Sequence, residues 1–299
     1  MIRAFVVGRR RKGRQIPEAV ADVEERLRAA GWAVESAVVD RKRDVRRVAK
    51  RAARDGCDVV VAVGGDGAVL QVATVLAETT VALGIVPAGT GNLLAGNLGI
   101  PTGRDQAVET VLTGRPRRID IGRVAIGGKK RAFTVACGIG YDAKVMDATG
   151  QDQKLRWGKL AYLANAVRQT GSLHNGPHEI TLDGVRSTME AAQVFIANFG
   201  KMLPIVQPRR RIRGDDGLLD VIVVRAAGPL PGLLAGWEAL MQKDLGESSG
   251  GHVFRAQARE IRVRSDPKRL VETDGSVVGQ TPVNVSIQPR ALTVIVPRR

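Results

Sequence analysis

Asp58-Val59-Val60-Val61-Ala62-Val63-Gly64-Gly65-Asp66-Gly67 is the stretch on which the fold turns. Its continuous β-branched run suits a strand buried on both faces of a parallel sheet. The glycines that follow mark a tight turn at the strand's carboxyl end, and 68–76 then reads as a helix. Downstream, 82–86 forms another short apolar strand that feeds Pro87-Ala88-Gly89-Thr90-Gly91-Asn92. Upstream, 2–8 is strand-like. Pro17 suits the first turn of a helix whose apolar positions Val20, Val23, Leu27 and Ala30 recur at helical spacing, and Gly31 ends it. A second strand is expected over 33–39 and a very basic helix over 43–55, closed by Gly56. Strand, glycine turn, helix, repeated, predicts an open α/β layer.

The pattern changes near Ile119-Asp120-Ile121. Beyond it the signals are mostly strands, at 194–197, 219–224, 260–263, 283–287 and 292–296, joined by tight turns. Gly127-Gly128 lies between apolar runs. Asp183-Gly184 sits between 180–182 and Val185, where an Asp-Gly pair favours a primed hairpin turn. Helices are expected at 159–169 and around 233–241. The reading is an α/β domain over 1–122, with 291–299 as a candidate last strand of it, followed by a β-rich domain over 123–290.

At 299 residues the chain is long enough for two such cores. Aromatic residues are only 3%, which argues against a stacking platform for single-stranded nucleic acid. No apolar run approaches the roughly 20 residues that span a bilayer, and 1–8 is too short for a signal peptide. Cys57 and Cys137 lie in apolar segments without partner spacing and read as buried thiols of a reducing compartment, so a cytoplasmic protein is expected. His174, His178 and His252 form no zinc spacing with them. The net charge of +16, from 46 basic against 30 acidic residues, draws polyanions: nucleic acid, anionic membrane or nucleotide phosphates. No nucleic-acid reading motif accompanies it.

Ligands of an open α/β sheet bind beyond the carboxyl ends of its strands, where both glycine turns fall. Glycines let the backbone approach a ligand closely, successive amides can share one concavity, and a following helix amino terminus adds a positive dipole end. Asp66 is repulsive beside phosphate unless a metal intervenes, so it is expected to help hold Mg²⁺ or to lie near the reacting hydroxyl. Neither a Walker A sequence nor a GxGxxG fingerprint is present.

The order Val63-Gly64-Gly65-Asp66-Gly67, then 87–101 from Pro87-Ala88-Gly89-Thr90-Gly91-Asn92 to Gly99-Ile100-Pro101, resembles the diacylglycerol kinase catalytic domain family, which includes bacterial lipid kinases and sphingosine kinases. Ile119-Asp120-Ile121-Gly122, Gly138-Ile139-Gly140-Tyr141-Asp142-Ala143, Asp215-Asp216-Gly217-Leu218-Leu219-Asp220 and Thr273-Asp274-Gly275 follow in register, so the resemblance covers nearly the whole chain. It implies a two-domain ATP-dependent lipid kinase, with nucleotide held between the α/β domain and a β-sandwich-like substrate domain. Gly64, Gly65, Asp66, Gly67, Ala68, Gln71, Gly89, Thr90, Gly91 and Asn92 would contact nucleotide. Asp215, the Leu218 carbonyl and Asp220 would bind a structural Mg²⁺, a chemically sensible hard-oxygen set. The implied partners are ATP, a lipid alcohol and the inner face of an anionic membrane; a dimer is compatible.

Three departures accompany the resemblance. The family's Asn-Pro…Ser-Gly loop after the first strand is here Gly8-Arg9-Arg10-Arg11-Lys12-Gly13. Its usual Thr after GGDG and the Asn-Glu pair soon after are Ala68, Leu70 and Gln71. Its acidic general base after Asp-Gly is Ser276, leaving Asp66, Asp274 or Glu272 as candidate substitutes. Losing such a base costs on the order of 10²–10⁴ in rate. The alternative is therefore a nucleotide- or lipid-binding homologue without chemistry, with Asp274-Gly275-Ser276 serving only as a hairpin turn. NAD kinase shares the GGDG turn, but 89–92 does not fit it. The basic run 209–213, with apolar 202–206 before it, is expected to touch anionic lipid, and the cluster at Arg41, Lys42, Arg43, Arg46 and Arg47 to be a solvated helix face.

Overall fold

The computed structural model describes residues 1–142, 175–201, 212–225, 244–248 and 250–298. The expected helices at 159–169 and 233–241 lie outside the described residues, as do His174, 202–211 and Ala143. The chain divides into two compact units, Met1–Ile121 with Pro289–Arg299, and Gly122–Gln288.

The first unit is an open α/β layer. Its elements are β1 (Arg3–Arg9), α1 (Ile16–Ala29), β2 (Ala33–Val39), α2 (Lys42–Arg54), β3 (Val59–Gly64), α3 (Asp66–Leu76), β4 (Ala82–Pro87), α4 (Leu93–Asn97) and α5 (Arg104–Thr113). Strands β2, β1, β3 and β4 pair in that order and in parallel. The order reverses between β1 and β3, the kind of switch point at which such sheets bind ligands. All six residues of β3 are buried, as a central parallel strand requires. Helix α1 begins with Pro17 in its first turn and buries Ile16, Ala19, Val20, Val23 and Leu27. Helix α3 starts two residues earlier than the apolar pattern suggests, so Asp66 and Gly67 sit in its first turn rather than in a loop.

The second unit is a β-sandwich-like fold. Its strands are β5 (Arg115–Ile126), which enters from the first unit, β6 (Lys129–Phe133), β7 (Ala136–Asp142), β8 (Gly176–Leu182), β9 (Val185–Ala191), β10 (Gln193–Ala197), β11 (Leu219–Val224), β12 (Gly246–Glu247), β13 (Val253–Ala258), β14 (Glu260–Ser265), β15 (Arg269–Thr273), β16 (Ser276–Gln280) and β17 (Val283–Val296). One sheet runs β12-β13-β11-β10-β7-β15-β16; β14 lies between β8 and the first half of β17 in the other, with β9 at its edge. Val194, Ile196, Val221 and Val271 of one sheet join Ile180, Ile261, Val263 and Val285 of the other in one buried cluster.

The turns at Gly127-Gly128 and Asp183-Gly184 join β5 to β6 and β8 to β9 as two-residue hairpins, with positive φ at all four residues. The two strands expected at 283–287 and 292–296 are instead a single β17, whose later half belongs to the first unit and pairs with β4 in parallel at Val294 and Leu83. Pro289 and exposed Arg290 hide this continuity in the sequence. Arg290 takes a positive φ of 51°, and its amide is capped by the Asp120 carboxylate at 2.6 Å.

Candidate functional site

Because β3 and β4 are adjacent and in register at Gly64 and Pro87, the two glycine bends leave the sheet side by side. They touch through backbone. A methyl group built on Gly89 would lie 2.5 Å from the Gly65 Cα, and one on Gly65 would lie 3.0 Å from the Gly89 Cα. Only glycine permits that approach at both positions. The Ala88 amide donates to the Gly64 carbonyl at 2.9 Å. Asn92, itself at a positive φ of 48°, folds back on its own bend: its Oδ1 accepts from the Gly89 amide and its Nδ2 donates to the Gly89 carbonyl, both at 3.0 Å.

Asp66 ties the bends together. Its Oδ1 accepts from the Leu93 amide at 2.6 Å, and its Oδ2 lies 2.7 Å from where a Cβ on Gly91 would be. At least one of its oxygens therefore serves architecture. The first amides of α3 have no partner inside the helix, and the helix dipole makes that end attractive to an anion. Ala68 and Val69 amides turn back to the Gly65 carbonyl at 2.9 and 3.2 Å. Ala68 is buried against Gly64, and Gln71 is half-buried further along α3. Thr90 and Gly91 are exposed at the tip of the second bend.

Cations surround this pair of bends. Arg14, from the basic loop after β1, donates to Thr90 Oγ1 at 3.0 Å and so reaches across to the β4 bend. Arg14 and Arg104 also border a cavity of about 520 Å³ lined by Ile16, Ala19, Val86, Pro87 and Ala88. Lys42 opens α2 with its Nζ 3.8 Å from the position of a Cβ on Gly67. From sequence, Lys42 reads as part of a solvated helix face; its place just after β2, beside the sheet's switch point, is the signal that could have found it.

The remaining candidates belong to the second unit. Asp274 and Gly275 form the two-residue turn between β15 and β16, with φ of 44° and 76° and Thr273 paired to Ser276. Asp274 Oδ2 accepts from the Thr134 amide (2.7 Å) and hydroxyl (2.8 Å), and its Oδ1 accepts from the amides of Val135 (2.9 Å) and Ala136 (3.1 Å). Burial pushes its pKa up, while these donors pull it down. All four acceptor positions of the carboxylate are taken, which makes Asp274 an anchor joining the hairpin to the segment entering β7. Ser276 is exposed, and Glu272 is half-buried on β15 opposite Gly138.

Asp215 Oδ1 pairs with the Arg213 Nε at 3.1 Å, Asp216 Oδ1 accepts from the Leu218 amide at 3.1 Å, and buried Asp220 accepts from Gln257 Nε2 at 3.1 Å. Among the described residues no three acidic, histidine or cysteine side chains gather as a metal group. A cation here would rest on two carboxylates and the Leu218 carbonyl, which is a fitting donor set for Mg²⁺ in kind. No helix among the described residues is long and apolar enough to cross a membrane.

Comparison with known proteins agrees with this architecture. Residues 3–124 match the diacylglycerol kinase catalytic domain, and residues 135–296 match the YegS C-terminal NAD kinase beta sandwich-like domain. An uncharacterised protein of Synechocystis sp. is 28% identical over 92% of this chain, which spans 64% of that protein's length. A protein of Mycobacterium tuberculosis named diacylglycerol kinase is 29% identical over 91% of this chain and 88% of its own. The solved structure of a diacylglycerol kinase from Bacillus anthracis str. Sterne has the same fold, with a TM-score of 0.74 at 21% identity, covering 99% of this chain and 96% of that one. With both of its domains matched in order, the chain belongs to the diacylglycerol kinase family of lipid kinases.

Proposed function

We propose that the protein transfers the γ-phosphoryl group of MgATP to the hydroxyl of a diacylglycerol-like lipid alcohol. The observation that carries this reading is the backbone contact between Gly65 and Gly89, which brings two amide-rich bends to one spot. Amides from Gly64, Gly65, Asp66 and Gly67, with those of Thr90, Gly91 and Asn92, are proposed to cradle the phosphates, with Gly89, whose amide is held by Asn92 Oδ1, letting the second bend come close and with Ala68 and Gln71 behind them. Lys42 and Arg14 neutralise phosphate charge, and the cavity beside Arg14 offers room for the nucleoside.

The lipid oxygen forms the new bond to the γ-phosphorus as the bond to the β-phosphate oxygen breaks. In a loose transition state little proton transfer has occurred, so positioning and charge neutralisation supply most of the rate. The hydroxyl proton can then pass to an oxygen of the transferred group, which suits a chain with Ser276 where the family has an acid. Asp274 is assigned a positioning role, because its oxygens are fully engaged. A Mg²⁺ bound with nucleotide would screen the phosphates. A second one, held by Asp215, the Leu218 carbonyl and Asp220, would stiffen the loop before β11 in place of the Arg213 pair.

Incubating the protein with labelled ATP and a panel of diacylglycerols, sphingoid bases and other lipid alcohols tests the proposal. Label should enter at least one lipid; label in none of them overturns it. The exposed Ser276 and the saturated Asp274 favour one second reading, a catalytically impaired homologue that binds nucleotide or lipid. Ser276→Glu separates the two: activity gained from a silent parent supports the impaired homologue, whereas an active parent excludes it.

A further inference from the structure

We propose that the outer face of helix α2 is a docking surface for anionic membrane lipid. The helix buries Val45, Ala49 and Ala52 against the first unit. At about 100° per residue, Arg43, Arg46, Arg47, Lys50, Arg51 and Arg54 fall within an arc of roughly 140° on the opposite side, and all six are exposed. Along the axis they span about 17 Å at the helical rise. Arg47 pairs with Asp44 at 3.6 Å and Arg51 with Asp55 at 3.2 Å, both arginines lying in solvent. No acidic side chain among the described residues pairs with Arg43, Arg46, Lys50 or Arg54.

Such a face is unfavourable on its own. Arg43 and Arg47, Arg46 and Lys50, Arg47 and Arg51, and Lys50 and Arg54 are like charges one turn apart, and each pair repels. An acidic residue at any of these positions would relieve the repulsion, so fold stability does not account for the pattern. A broad negative surface relieves all of it at once. The arc carries no aromatic residue on which a nucleic-acid base could stack. The choice of lipid over nucleic acid rests on the lipid-kinase reading, since the acceptor of such an enzyme resides in a bilayer. Adsorption along α2 would then concentrate the enzyme where that acceptor is. Lys42, assigned to the phosphates, is not part of the arc.

The test replaces Arg43, Arg46, Lys50 and Arg54 together by Gln in the full chain and measures co-sedimentation with vesicles. Wild-type protein should bind phosphatidylcholine vesicles containing phosphatidylglycerol at least roughly tenfold more tightly than pure phosphatidylcholine vesicles, because each basic residue near an anionic surface adds attraction. The quadruple variant should lose most of that preference, with turnover of a dispersed short-chain diacylglycerol unchanged and thermal unfolding no lower than wild type, because three of the four repelling pairs are removed. If the wild type shows no kinase activity and the variant still loses vesicle binding, the catalytic proposal falls and this one stands. An unchanged lipid preference in the folded variant overturns the inference. So does tighter binding of wild type to duplex DNA than to the anionic vesicles, abolished by the same changes. If the quadruple variant unfolds, reversing Lys50 alone to Glu must still weaken vesicle binding, and no effect overturns the inference.

Discussion

Gly89→Ala probes the contact that joins the two bends. The added methyl group would meet the Gly65 Cα at 2.5 Å and Asn92 Oδ1 at 2.8 Å. Ordinary carbon–carbon contact needs about 3.5–4.0 Å, so the β3 and β4 bends must part by about 1 Å. Asn92 can swing away only by giving up both of its hydrogen bonds to Gly89. The Gly65 Cα is backbone held by the end of β3 and the start of α3, and it has no such freedom. Overpacking of this kind costs about 1–3 kcal/mol of stability. A displacement of about 1 Å at reacting groups costs on the order of 10²-fold in rate. We therefore expect Gly89→Ala to remain folded, to lose a small part of its denaturation free energy, and to lose about 10²-fold in kcat/KM for ATP. Gly96→Ala is the matched control: the methyl group meets nothing within 4 Å, in a helix where alanine is the better former. Steady-state kinetics and urea unfolding on the three proteins decide the matter. Wild-type kinetics in Gly89→Ala, or equal losses in Gly96→Ala, would refute the reasoning.

Other expectations are more local. Lys42→Met should raise the KM for ATP about tenfold with little change in unfolding midpoint, because an exposed ammonium beside the Gly67 backbone contributes charge rather than packing; an unchanged KM removes Lys42 from the site. Asp274→Asn should cost about 1–3 kcal/mol in urea unfolding, because an amide nitrogen would replace one acceptor oxygen and face either the Thr134 amide or the amides of Val135 and Ala136; a neutral substitution contradicts the anchoring role. The Cys137 thiol is fully buried and its pKa is pushed well up by burial, so at neutral pH thiol reagents should modify it no faster than the chain unfolds; rapid labelling of native protein would contradict that. His178 is buried with Nδ1 against the Gly176 carbonyl, and burial holds its pKa below the usual 6.5. The unfolded chain then binds the proton more readily, so stability should fall as pH drops below about 6.5. His178→Gln should flatten that slope, and an unaltered slope refutes the assignment.

The first hundred residues were largely legible because local signals and tertiary packing agree there. Val59–Val63 is apolar at every position, and a central parallel strand needs nothing else. Asp-Gly and Gly-Gly pairs likewise announced their hairpins, since positive φ at consecutive residues is a strictly local demand. What escaped depends on distant partners. Asp274 reads as a candidate base or a plain hairpin residue until the segment at Thr134 to Ala136 is folded onto it. Lys42 looks like one more cation of a basic helix until α2 is set beside the β3 bend. Asp66 reads from its place in a phosphate-binding turn as a Mg²⁺ holder or a neighbour of the reacting hydroxyl, whereas its hydrogen bond to the Leu93 amide shows it also building the cradle. The continuity of β17 was masked by Pro289, which breaks the apolar pattern without ending the strand.

The most direct measurement is a crystal structure of the protein with a non-hydrolysable MgATP analogue. The account predicts phosphate oxygens at about 2.7–3.2 Å from amides of both the 64–67 and the 89–92 bends, with Lys42 turned toward them. Nucleotide bound elsewhere, or held by one bend while the other contacts nothing, would contradict it.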